Sequence, residues 1–187
     1  MQPGQSAKEF TIEDILGDTI ALTDFRDKHL MLSFYRYASC PLCNLRVQHL
    51  IQQYPSYSQK GLQMIAVFQS PQASIRKYVG KQDIPFPVIA DPERILYREY
   101  GVESSWAGFI KGSFRLSALI SAEARGYLPG KMEGKKSMTP ANFLIGPDLT
   151  VQVAYYGKDI GDHLPIQKID EWLENSGLAL TSATAYS

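Results

Sequence analysis

Cys40 and Cys43 are the only cysteines in a chain of 187 residues, and they lie three positions apart in ASCPLCNLRV, residues 38–47. A close pair of this kind can cycle between dithiol and disulfide, supply half of a metal site, or sit inert in a core. The apolar run LMLSFY (30–35) just before the pair reads as a buried strand. Beyond Pro41, the apolar residues Leu42, Leu45, Leu50, Ile51 and Tyr54 recur at helical spacing. Pro41 suits a first helical turn, where its missing N–H costs nothing. The pair therefore falls at a strand-to-helix junction. Unpaired N–H groups and the helix dipole favour an anion there, and the thiolate is the reactive form of cysteine. Cys43 is one turn further on the same helix face. Cys40 is then expected to be the more exposed and more acidic sulfur and to attack. Cys43 is expected to resolve the product by closing a Cys40–Cys43 disulfide.

The metal reading needs more ligands than the chain offers nearby. Structural zinc commonly takes two such cysteine pairs. Here there is no second pair, and His29, His49 and His163 are scattered. His49 is about half a helical rotation away from Cys40, which argues equally against a local Cys–His hydrolase site. No metal and no organic cofactor is expected. Nineteen basic residues balance nineteen acidic ones, so neither nucleic acid nor an anionic membrane is expected as a partner. No apolar run is long enough to span a membrane. The start, MQPGQSAKEF, lacks the basic and apolar regions of a signal peptide. Two cysteines cannot build a secreted-type disulfide framework, so a reducing cytoplasm is the expected location.

The elements around the pair follow from periodicity. KEFTIEDILGDTIALTDFRDKH reads as a peripheral hairpin turning at LGDT. The helix after the pair is expected to kink or end at Pro55. LQMIAVFQS (62–70) reads as a second buried strand. A helix follows, with Ser70 as N-cap and Pro71 in its first position. FPVIAD (86–91) is a third strand, PERILYREYG (92–101) a short helix, and NFLIGPDLTVQVAYYG (142–157) a strand pair. In the last helix Ile166, Ile169, Trp172 and Leu173 share a face, and Gly177 is expected to end it. The alternation predicts an α/β fold: a parallel core, helices on both faces, and antiparallel strands added by the hairpin. One domain over 1–178 and a flexible tail over 179–187 are expected, with an irregular insertion near 103–138. KMEGKK (131–136) reads as a solvated loop.

The chain resembles the peroxiredoxin-like alkyl hydroperoxide reductase C/thiol-specific antioxidant family, in its branch with Cys-x-x-Cys. The resemblance lies in FTIEDILGDTIALTDFRDKHLMLSFYRYASCPLCNLRV, GLQMIAVFQSP, FPVIADPERILYREYGV, TPANFLIGPDLTV and YYGKDIGDHLPIQKIDEWL. It implies a thioredoxin-like fold with an N-terminal hairpin extension. It also implies that Pro140 is a cis-proline facing the cysteines, with Thr139 beside it presenting backbone groups to substrate. Two departures stand out. The family's Pro and Thr/Ser positions before the attacking cysteine hold Ser33 and Tyr37, and its arginine before the hairpin strand is absent from Ser137-Met138-Thr139-Pro140. Arg36 and Arg115 are the candidate substitutes, although a strand-end residue such as Arg36 is ordinarily solvated. Tyr35, Tyr37 and Trp106 could wall the site, but aromatic residues there more often pack a core.

The resemblance implies a thiol-dependent oxidoreductase that reduces hydroperoxides through Cys40 and Cys43 and is itself reduced by a thioredoxin-like protein or a small thiol. A second reading is exchange with protein disulfides through the same sulfurs. A third is a non-catalytic redox-sensing or interaction module.

Overall fold

The computed structural model describes residues 1–103, 124, 126 and 130–183. Its centre is a five-stranded sheet in the order β5-β4-β3-β6-β7. The strands are β3 (His29–Phe34), β4 (Leu62–Phe68), β5 (Val88–Ala90), β6 (Ala141–Ile145) and β7 (Val151–Tyr156). β3, β4 and β5 run parallel, whereas β6 and β7 are antiparallel additions. This is the mixed sheet expected from the sequence. A separate two-stranded sheet, β1 (Thr11–Glu13) with β2 (Thr19–Ala21), is the N-terminal hairpin. Asp14 Oδ1 accepts the N–H groups of Leu16, Gly17 and Asp18 and so shapes its turn. A bridge from Asp14 to Ile89 docks the hairpin on the edge of the main sheet.

Residues of each central strand divide between the two faces, as the two-residue strand period requires. Met31, Met64, Ala66, Phe68 and Leu144 face a core with Val47, Leu50 and Tyr57 of α1 (Pro41–Gln59) and Ile75 of α2 (Gln72–Tyr78). Ile169, Trp172 and Leu173 of α4 (Ile166–Ala183) close the same core. Leu30, Leu32, Phe34, Ile65, Val67, Phe143 and Ile145 face the opposite core. Leu96 and Tyr97 of α3 (Ile95–Glu99) and Leu22 and Phe25 of a 3-10 turn cover that side. Both faces of β3 are thus buried, which is why its sequence is a continuous apolar run.

Three expected boundaries move. α1 passes through Pro55 instead of stopping there. Pro55 is exposed, so the carbonyl it leaves without a helical partner is on the solvent side. Ser70 does not cap α2: Pro71 is its N-cap residue, and Ser70 is used by the cysteine loop instead. α4 continues past Gly177 to Ala183. A glycine costs about 1 kcal/mol inside a helix, too little to stop one when leucine and alanine follow.

Candidate active site

Cys40 is the N-cap residue of α1, and Pro41 follows it in the first helical position. The loop from Tyr35 to Ser39 that delivers it is fastened from beneath. Tyr35 N–H donates to Val67 O at 2.8 Å, carrying the β3–β4 pairing one residue further. The Tyr97 hydroxyl lies 2.5 Å from Tyr35 O and 3.0 Å from Val67 O. Ala38 N–H donates to Ser70 Oγ at 2.9 Å. The buried Asn44 amide donates to Ala38 O at 2.7 Å and to Cys40 O at 2.9 Å. An unsatisfied buried carbonyl would cost about 1–3 kcal/mol, so these bonds fix the loop in one arrangement.

Both cysteines are free thiols. Cys40 is 1% exposed and Cys43 0%. The expectation of an exposed Cys40 is therefore corrected. The cause is Arg36, which is itself only 1% exposed and not the solvated strand-end residue that its position suggested. Arg36 Nη1 donates to Cys40 Sγ at 3.5 Å, and Nη2 donates to Lys136 O at 2.6 Å. Its guanidinium carbon stands 4.7 Å from the centre of the Tyr37 ring. A sulfur, a carbonyl and an aromatic face take the place of the water a surface arginine would hold.

This arrangement separates the two thiols chemically. Burial works against ionisation of Cys40, but the neighbouring Cys43 thiol, the Arg36 charge and the Cys43 N–H outweigh it and bring the Cys40 pKa down to about 6. Burial pushes the Cys43 thiol up, and its interaction with Cys40 pushes it in the same direction. Cys40 is thus the thiolate of the pair, and Cys43 is the sulfur that keeps its proton. The Arg36 pKa is raised despite burial, chiefly through the Cys40 charge.

A segment of main chain, residues 130–138, lies over the pair. Ser39 Oγ donates to Lys131 O at 2.7 Å. The Gln69 amide brackets Lys135, donating to its carbonyl and accepting from its N–H, each at 2.9 Å. Ser74 Oγ donates to Glu133 Oε1 at 2.7 Å. The segment comes down closely because of two glycines. A Cβ on Gly134 (φ +67°) would stand 2.6 Å from Gln69 Oε1, and one on Gly130 would stand 2.5 Å from the Tyr78 hydroxyl. The lysines of KMEGKK are exposed, as a solvated loop would have them. Its backbone is nevertheless committed to the site, and no residue type in the stretch signals that.

Thr139 and Pro140 are buried at the head of β6. Ala141 pairs with Phe34, the last residue of β3, so they lie at the same end of the sheet as the cysteine loop. Among the described residues there is no cis peptide bond, so the expected cis-Pro140 is corrected to trans. Pro140 O accepts Gly157 N–H at 2.8 Å, and Thr139 Oγ1 donates to Glu103 O at 3.3 Å. These contacts tie the head of β6 to the residue after β7 and to Glu103. Ser33, in the family's proline position, accepts a hydrogen bond from Asn142 Nδ2 at 2.9 Å. Tyr37 packs on Arg36, and Tyr35 stacks on Phe68 within the core at 4.8 Å. Trp106 and Arg115 lie outside the described residues. Arg36 contacts Cys40 Sγ from the strand-end loop, four residues before it. Ser39, Gln69 and Tyr97 were not legible as site residues, because each acts on a backbone group distant in sequence, and Asn44 was not because it acts on nearby carbonyls that no residue type marks.

The fold and the paired sulfurs together define a thioredoxin-like thiol protein. A family profile described as AhpC/TSA matches residues 3–154, and the chain belongs to that family as a thiol-based redox protein. The thiol-disulfide oxidoreductase ResA of Bacillus thuringiensis subsp. konkukian is 30% identical over 103 residues, covering 54% of this chain and 59% of its own. The chain spans little more than half the length of that relative. A candidate peroxiredoxin of Mycobacterium tuberculosis is 22% identical over 128 residues, covering 67% of this chain and 82% of its own. Among solved structures, peroxidoxin BcpB of M. tuberculosis superposes with a TM-score of 0.67 at 16% identity, covering 96% of this chain and 97% of that one. Among the described residues, no helix is long and apolar enough to cross a membrane.

Proposed function

We propose that this protein is an oxidoreductase that reduces hydroperoxides, with Cys40 as nucleophile and Cys43 as resolving cysteine. The observation that carries the reading is Arg36 hydrogen-bonded to Cys40 Sγ at 3.5 Å, with its other terminal nitrogen on Lys136 O of the segment that covers the pair. The Cys40 thiolate attacks the distal oxygen of the hydroperoxide. The O–O bond breaks, the departing alkoxide or hydroxide takes a proton from solvent to leave as alcohol or water, and Cys40 becomes a sulfenic acid. Arg36 is placed to stabilise both the thiolate and the charge growing on the departing oxygen. The Cys43 sulfur then attacks Cys40 Sγ, water leaves, and the disulfide forms. A thioredoxin-like protein or a small thiol supplies the two electrons that restore the dithiol. Thr139 and Pro140, buried at the head of β6, position the covering segment on this reading and do not pair with an extended substrate. A reducing cytoplasm suits a cycle that depends on regenerating free thiols.

The ResA relatives favour the second reading, exchange with protein disulfides. Second-order rate constants of the reduced protein with hydrogen peroxide, an organic hydroperoxide and a model disulfide separate the two. Hydroperoxides are expected to react faster. Faster reaction with the disulfide would replace the proposal with disulfide exchange, and inertness toward all three would leave a non-catalytic module.

A further inference from the structure

Charge is balanced over the whole chain and unbalanced at the cysteine pair. Nineteen basic residues meet nineteen acidic ones overall, yet the two stretches that bond the cysteine loop, 70–85 and 130–138, hold six basic residues and two acidic ones. Of these, Arg76 is turned to the hairpin, with two nitrogens on Ile15 O. Glu133 accepts Ser74 Oγ, and Asp83 lies beyond α2 and the 3-10 turn after it. Lys77, Lys131, Lys135 and Lys136 are exposed. Lys77 Nζ stands 5.3 Å from the centre of the Tyr78 ring, and the Tyr78 hydroxyl and Ser39 both crowd Gly130. Lys77 is thus one ring away from the residue before Cys40. The Cys40 charge is met from within by Arg36, so the lysines act outward.

Lys135 and Met138 also line a cavity of about 410 Å³, together with Arg98, Val102 and Glu103. That volume suits a small organic molecule. Val102 and Met138 give it apolar wall, and two cations stand there against one carboxylate. Lys136, between Lys135 and Met138, holds Arg36 through its carbonyl, so this turn is a wall shared by the cavity and the cysteine site. We propose that the oxidant selected here is an organic hydroperoxide carrying a carboxylate, drawn in by Lys77, Lys131, Lys135 and Lys136 and seated by Lys135 and Arg98. The inference rests on the reading of this protein as a hydroperoxide reductase. The bond changes are those of that reaction: the thiolate takes the distal oxygen, the O–O bond breaks, and a hydroxy acid leaves with its carboxylate intact. The lysines act before contact, on the rate of encounter. Fixed surface charge raises such rates by about 10–1000-fold, and salt screens it.

The test uses the reduced full chain and three hydroperoxides of similar size: tert-butyl hydroperoxide and its analogues bearing a carboxylate or an ammonium group on one methyl. Single-turnover thiol loss is followed at low and at physiological ionic strength, each rate divided by that of the same compound with a free small thiol. At low salt the carboxylate compound should react roughly tenfold faster than the neutral one and the ammonium compound more slowly. Added salt should draw the three together and leave the neutral compound unmoved. Lys77→Gln combined with Lys131→Gln should lower the carboxylate-to-neutral ratio severalfold at low salt. Arg98→Gln should lower it at both salt concentrations, because a seat acts at contact. Reading the ratio cancels any general loss of activity, and the salt series on the unaltered chain needs no variant to fold. Equal rates for the carboxylate and neutral compounds, or a preference that neither salt nor the variants change, overturn the inference and leave the hydroperoxide reading standing. Inertness toward all three overturns both.

Discussion

The Cys43 thiol and Arg36 together lower the Cys40 pKa by contact. Reactivity of Cys40 should therefore follow a titration with its midpoint near 6. The reactive form is the deprotonated one, so alkylation is slow below that midpoint, rises through it and levels off above. Arg36→Gln should move the midpoint toward that of an ordinary thiol and slow alkylation at neutral pH by roughly tenfold. Peptide-resolved mass spectrometry of iodoacetamide labelling against pH checks both, and an unmoved midpoint would remove Arg36 from its role. The two cysteines should also differ in how they fail. Cys40→Ser abolishes reaction with hydroperoxide, whereas Cys43→Ser still attacks but stalls as a sulfenic acid or mixed disulfide. Trapping the sulfenic acid with a dimedone-type reagent tests this. Trapping it in Cys40→Ser instead would reverse the roles. At this scale the sequence identified the two sulfurs, because Cys-x-x-Cys at a strand–helix junction stands out, whereas their difference in acidity comes from burial, from each other and from Arg36. It could not show that Arg36 turns inward, since that depends on the Lys136 carbonyl a hundred residues away.

Elements were more legible than boundaries. β3, β4, β5 and the β6–β7 hairpin each announce themselves by short apolar runs with turn residues between them. The route of α1 through Pro55 was not legible, because a proline breaks a helix or merely weakens it according to which side faces water. Pro55 is exposed, so nothing packs on its ring in the way that would make it indispensable. Pro55→Ala should restore a main-chain hydrogen bond and stabilise the protein by about 1–3 kcal/mol. A urea unfolding curve gives the answer, and a midpoint that stays or falls would mean that the proline limits the unfolded chain more than it harms the helix. The covering segment is the other element that periodicity could not find. It contributes carbonyls and one N–H to the site, and backbone groups are the same in every residue.

At the scale of the whole molecule, β3 is tied to the rest by a buried polar relay. Asn142 on β6 donates to Ser33 on β3 at 2.9 Å and accepts Leu164 N–H at 3.0 Å, and the Leu164 carbonyl accepts Arg46 Nη2 of α1 at 2.6 Å. Asn142→Leu would strand the Leu164 N–H in the interior and cost roughly 2–4 kcal/mol. Denaturant unfolding measures the loss, and the Cys40 titration midpoint should not move with it. A shift in that midpoint would show that the relay tunes the sulfur as well as the fold. The overall architecture was readable from alternating strand and helix signals, whereas this relay depends on three distant segments meeting. The fastening of the cysteine loop has a different implication. Ser70, Asn44 and Tyr97 hold it from below, while Ser39 and Arg36 meet the cover from above, and the two sets share no residue. The seat of the sulfur and the cover above it are therefore built from different contacts and meet at Arg36. A lineage can trim, lengthen or recompose the upper segment while the sulfur keeps its seat, so one scaffold can diverge between narrow entrances for small oxidants and wide ones for protein chains without reinventing its chemistry.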